Sequence, residues 1–182
     1  QVPAASGPLQ ALGAGQTLSD TAVVTTAYGT TQTLTVVLTG TDDAAVIGGT
    51  STAGVTDGNP GDLSGGMLVA SGSLTITDVD NGQSGFVAGI IASGNNPTLG
   101  GSLTIDASGN WSWSATDGQS VVEALTVGET ISETFIVTSL GGDTYPVTIT
   151  ITGTHAAPQL SVHPGDRVAD GLTEGGTGQA LG

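Results

Sequence analysis

The run LTVVLTGTDDA at Leu34–Ala44 returns as VTITITGTHAA at Val147–Ala157, a shift of 113 positions. Self-similarity at a fixed period constrains a chain strongly, because both copies must fit the same supersecondary unit. The match runs well past the quoted words. Residues 11–58 slide onto 124–171 without a gap, and about 18 of the 48 positions are identical. QALGAGQTLSDT meets EALTVGETISET, and VTDG meets VADG. Most differences keep the chemistry: Leu18 meets Ile131, Asp20 meets Glu133, Leu34 meets Val147 and Leu38 meets Ile151. A unit of this length lies in the common size range of a domain. One complete unit is expected over residues 43–154, with the closing part of a preceding unit at 1–42 and the opening part of a following one at 155–182.

Inside each copy the apolar residues alternate with period two, the signature of a half-buried strand. Leu34, Val36 and Leu38 share one face, and Val147, Ile149 and Ile151 repeat it. The same alternation marks Ser73–Thr77, Ser102–Asp106 and Thr134–Thr138. GSLTIDASGNWSWSA reads as a hairpin turning at DASGN, with Trp111 and Trp113 on one side of its second strand. That position favours core over an exposed stacking platform for sugar. QSVVEAL, residues 119–125, is the one helical candidate, long enough for a turn or two. Thirty-one glycines and 9% charged residues argue against a helical bundle. Repeated β-branched alternation and a mean hydropathy of +0.20 argue against disorder. The expected class is therefore all-β, an antiparallel β-sandwich. An incomplete sandwich leaves edges and an apolar face uncovered, so each end expects a partner.

Sixteen acidic residues stand against one basic residue, Arg167, for a formal charge of −15. Nothing is available to neutralise phosphates, so nucleic acid is excluded as a partner. The acidity keeps the chain soluble, and it also offers carboxylates to a divalent cation. There is no cysteine, which removes disulfides, thiolate nucleophiles and cysteine-bound metals. No apolar run approaches a membrane span, and no basic segment precedes an apolar one in the manner of a signal peptide. With two histidines, His155 and His163, and no lysine or cysteine, nucleophile and base sets have few members, so no enzyme is expected.

Three pieces in succession resemble the VCBS repeat of large secreted bacterial adhesins and related surface proteins: SGSLTITDVDNGQ (Ser71–Gln83), GSLTIDASGNWSWSATD continuing through VVEALTVGETISETFIVTS (Gly101–Ser139), and VTITITGTHAAP (Val147–Pro158). The first 47 residues match the last third of the family again. The resemblance implies a non-catalytic Ig-like or cadherin-like sandwich, rigidified by Ca2+ and used in tandem as an extracellular or cell-surface spacer. Its partners would be neighbouring repeats or other copies of itself, with glycans or surface ligands reached through other domains. A self-assembling filament or matrix subunit, completed by terminal strands of neighbouring copies, is the alternative, and a carbohydrate-binding module a weaker one. The family closes its unit with GTND, whereas the copies here read GTDD and GTHA, so His155 and Ala156 stand where oxygen ligands are expected.

Calcium takes six to eight oxygens, several of them carboxylates. Asp78 and Asp80 alternate where a strand loosens into the loop TDVDNG, Asp42 and Asp43 lie at the junction between units, and Asp57 and Asp62 lie in VTDG and PGDL. These six are the expected metal ligands. Asp and Asn before Gly also form ordinary turns, and Asp106, Asp117 and Asp143 are read that way. DVDNG lacks the later acids of an EF-hand, and the calcium nonapeptide is absent. GGTGQALG lacks the GK[ST] of a phosphate loop, and the sequon at Asn110 falls inside the hairpin.

Overall fold

The computed structural model describes residues 7–155. Arg167, His163 and the expected opening of a following unit lie outside the described residues, apart from His155. In chain order the elements are a helical turn α1 (Gly7–Gln10), strands β1 (Thr17–Thr25), β2 (Thr31–Thr39), β3 (Val46–Gly49), β4 (Thr52–Thr56), β5 (Leu63–Ser64), β6 (Met67–Thr77), β7 (Gly89–Ile91), β8 (Ser102–Ile105) and β9 (Asn110–Thr116), a second helical turn α2 (Ser120–Glu123), and strands β10 (Thr130–Thr138) and β11 (Thr144–Thr152). The fold is all-β. α2 falls inside the helical candidate, and β8 and β9 form the hairpin read at DASGN.

Two sheets make the sandwich. One runs β10-β11-β4, the other β3-β6-β9-β8-β7, with β5 folded against β6. Alternation sends Phe135, Val137, Val147, Ile149, Ile151 and Val55 from the first sheet, and Leu68, Leu74, Leu103, Trp111 and Trp113 from the second, into one core. The connections close it with Phe86, Leu99 and Val122. Both indoles are fully buried, and Trp111 Nε1 donates to the Thr50 carbonyl at 2.8 Å. A buried indole needs such an acceptor to avoid an unpaired donor.

Pairing between the named strands is antiparallel except between β4 and β11, which run parallel with Thr52 opposite Thr148. The cause is a change of sheet. β3 pairs with β6 in one sheet, the chain crosses at Thr50 and Ser51, and β4 continues in the same direction along β11 in the other. The crossing is held by Thr50 N–H on Ser73 O and Thr148 N–H on Ser51 O. Because strand direction continues through the crossing, β3 begins at one pole of the sandwich and β4 ends at the other. Asp78 follows β6 beside the start of β3, and Asp57 follows the end of β4.

β1 and β2 form a separate two-stranded sheet. Its bounds, its register of Thr17 opposite Thr39, and the position of α1 are those of β10, β11 and α2 shifted by 113 residues. Among the described residues no helix is long and apolar enough to cross a membrane.

Candidate metal centres at the two poles

The loop that follows β6 is tied by its own polar atoms. Asp78 N–H donates to Ser84 Oγ (3.0 Å), which donates back to Asp78 O (3.1 Å), and Asp80 N–H donates to Asp78 Oδ1 (2.9 Å). This Asx-type turn is the local reason that two carboxylates two residues apart come to one side. Asp80 is only 2% exposed, and its Oδ2 accepts from Asp43 N–H at 2.8 Å. Asp143 Oδ2 accepts from Ala45 N–H at 2.7 Å, and Asn81 N–H donates to Ala11 O at 3.0 Å. The segment joining β2 to β3 is thereby clipped to the sandwich by two carboxylates, and the turn before β1 by a backbone bond.

Three oxygens at this pole are buried without a hydrogen-bond partner: Asp78 Oδ2, Asp80 Oδ1 and Gln83 Oε1. Gln83 ties them together: a β-carbon on Gly141 would collide with Gln83 Oε1 and touch Asp78 Oδ2, and one on Gly13 would collide with Gln83 Nε2 and touch Asp80 Cγ. An unpaired buried oxygen costs about 1–3 kcal/mol, and more when charged. The chain's one Lys or Arg is Arg167, so no described residue of either type can answer these charges. Their chemistry suits a hard cation bound by carboxylate, amide and backbone oxygens.

The six expected ligands do not gather in one place. Asp78 and Asp80 form the N-terminal pole, Asp43 joins it through its backbone N–H, and Asp42 is exposed beside it. Asp57 lies at the C-terminal pole. Asp62 serves a turn, its Oδ2 accepting from Thr56 N–H (2.8 Å) and Asn59 Nδ2 (2.9 Å). Asp106 likewise ties its hairpin turn, accepting from Ser108 and Asn110, and the Asn110 side chain and backbone hold its carboxyl below the usual range.

At the C-terminal pole, Asp57 is 3% exposed and flanked by His155, with Nδ1 3.1 Å from Asp57 Oδ2. The other ring nitrogen, Nε2, lies 2.9 Å from Glu123 Oε2. Burial pushes the Asp57 carboxyl up, Glu123 and Asp117 add to the rise, and His155 opposes it. Asp117 Oδ1 is also buried without a partner. Helical turn α2 supplies Glu123, and His155 is held by Val127 N–H on its carbonyl (3.0 Å).

A further carboxyl is enclosed in the core. Glu133 is 0% exposed; Oε1 accepts from Gly94 N–H at 3.0 Å, and Oε2 lies near Trp113 Nε1, both buried and without a hydrogen-bond partner. A β-carbon on Gly101 would collide with both of those atoms, so the pair needs glycine there. Burial raises the Glu133 carboxyl against the lowering effects of Gly94 and Trp113.

Sequence reasoning did not single out Gln83, Glu123 or His155 as site members, and it read Asp117 as a turn. The usable signal was the 113-residue shift, which places Gln10 against Glu123 and Asp42 against His155 at equivalent ends of two units. A cleft of about 530 Å³ opens beside β4 and β9 and has Asp62 as its one carboxylate. No family model and no curated protein matches this chain.

Proposed function

We propose that the chain is a non-catalytic, extracellular structural module of the VCBS type, a tandem spacer stiffened by calcium at the pole holding Asp78, Asp80 and Gln83. The observation that carries this reading is the cluster of three buried, unpartnered oxygens placed where the segment after β2 meets the sandwich. Asp78, Asp80 and Gln83 would hold the ion, and Asp43, whose N–H reaches Asp80, would join them with the adjoining Asp42. Calcium when bound supplies the positive charge that the chain lacks and locks the clipped segment to the sandwich. Ligand binding to the folded state alone stabilises it by mass action, about 2.7 kcal/mol when free calcium is a hundredfold above Kd.

The test is urea unfolding of the full chain in millimolar calcium and in excess chelator. Calcium raises the midpoint, and Asp80→Asn abolishes most of the rise. An unchanged midpoint for the unsubstituted chain sinks the reading.

A second reading, a self-assembling filament subunit, is favoured by one feature. Apart from half-buried Leu38, the apolar residues of β1 and β2 are exposed, with Leu34 at 56% and Val36 at 50%. In this reading a neighbouring copy covers them. Light scattering separates the two: regular large assemblies support the subunit, and a monomer supports the spacer. Burial of Trp111 and Trp113 leaves a carbohydrate platform no support from those residues.

A further inference from the structure

We propose that Asp57 and His155, with Asp117 beside them and Glu123 on the far ring nitrogen, form a binding site for a transition-metal cation of the zinc class. This goes beyond the calcium reading, because it concerns the opposite pole and a different donor set.

Ligand atoms of Asp57, Glu123 and His155 all lie within 4.8 Å of one another. The 3.1 Å contact between His155 Nδ1 and Asp57 Oδ2 is close to the edge of a tetrahedral zinc shell, about 3.3 Å for bonds near 2.0 Å. A second observation points to a ligand. Asp57 is nearly sealed from solvent, yet its Oδ2 makes no well-aligned hydrogen bond despite lying beside the imidazole, and Asp117 Oδ1 is also unpartnered. Two buried oxygens thus face a place where negative charge accumulates.

The imidazole decides the ion. Calcium takes oxygen donors, whereas imidazole nitrogen with carboxylate suits zinc and its neighbours. One ring nitrogen takes the cation together with Asp57. The other keeps its carboxylate, the outer arrangement that fixes a histidine ligand. Half-exposed His155 and Glu123 leave a path for the ion and for water in the remaining positions. The equivalent positions of the preceding unit hold Gln10 and Asp42, without nitrogen of this kind, so the site belongs to this pole alone among the described residues.

The experiment uses the full chain stripped with chelator and titrated with Zn2+ by calorimetry, and with Co2+ by visible absorption. One equivalent of Zn2+ is expected to bind in the presence of millimolar Ca2+, with a Co2+ spectrum of tetrahedral type. His155→Ala and Asp57→Asn should each weaken binding by at least about tenfold. His155→Asp, which installs the oxygen donor found at Asp42, should keep the fold by circular dichroism and lose zinc by a similar factor. Asp80→Asn should leave zinc affinity unchanged, so failure of the calcium reading and of this one are seen separately. Absence of zinc binding, equal binding by His155→Ala or His155→Asp, loss of binding in His163→Ala, or displacement by millimolar Ca2+ would each overturn the assignment.

Discussion

Hairpins β1–β2 and β10–β11 share length, register and the helical turn before them, yet Val147 and Ile149 are fully buried while their counterparts Leu34 and Val36 are half exposed. Local pattern is thus enough to shape the ribbon and insufficient to bury it. Burial needs the facing sheet, and among the described residues β10 and β11 have one whereas β1 and β2 do not. Fully burying a Val, Leu or Ile side chain is worth roughly 1.5–3 kcal/mol, and a two-stranded hairpin alone is marginal in water. Asp20 and Glu133 make the same point with opposite sign. They occupy one register position on the inward face, but only Glu133 meets Gly94 and Trp113.

The comparison can be broken most directly in the core. Ile149→Ala should lower unfolding free energy by about 2–5 kcal/mol, whereas Val36→Ala should stay within about 0.5 kcal/mol, both read from urea denaturation. Equal losses would mean that the β1–β2 face is covered in solution. Next in size is the clip between hairpin and sandwich. Asp143→Ala removes the acceptor of Ala45 N–H, and a cost of about 1–3 kcal/mol is expected, with faster amide exchange at Ala45. No change in that exchange would show that the clip does not hold the segment.

Protonation sharpens the contrast at Glu133. Its folded pKa is raised above 4.5, so the folded state binds the proton more tightly than the unfolded chain does. The contribution of Glu133 to stability is therefore greatest below 4.5 and is lost as pH rises through the raised value. Glu133→Gln should flatten this fall and leave the part owed to Asp57, whose carboxyl is shifted the same way. A profile of urea midpoint against pH that is the same in both proteins would refute this. The smallest effect is expected from Leu34→Lys with Val36→Lys. The main transition should move by less than about 0.5 kcal/mol, while any association through the β1–β2 face, followed by light scattering, should disappear.

Much of the fold was legible in residue order. Alternation located β2, β8, β10 and β11 as well as the end of β6, because a strand with one buried face writes a period of two. The hairpin position of Trp111 and Trp113 marked them as core, and DASGN carried its own turn chemistry in Asp106. The candidate sites were less legible. Asp78 and Asp80 stand two residues apart, so a local turn brings them together, but Gln83 joins them through a loop whose closure depends on Ser84 and on the approach of Gly141.

By itself the sequence determined the repeat and its shift, the all-β class, the strands and turns, and an excess of negative charge with almost nothing to neutralise it, since these rest on periodicity and composition. Tertiary structure alone decided that β3 and β4 lie in different sheets, which carries Asp57 to the pole opposite Asp78 and Asp80. It also decided that Glu123 and His155, 32 residues apart, meet Asp57, and that one of two equivalent hairpins is buried. The physical reason is common to all three. Strand and turn preferences act between neighbours along the chain, whereas desolvation and charge pairing depend on which distant surfaces are brought face to face.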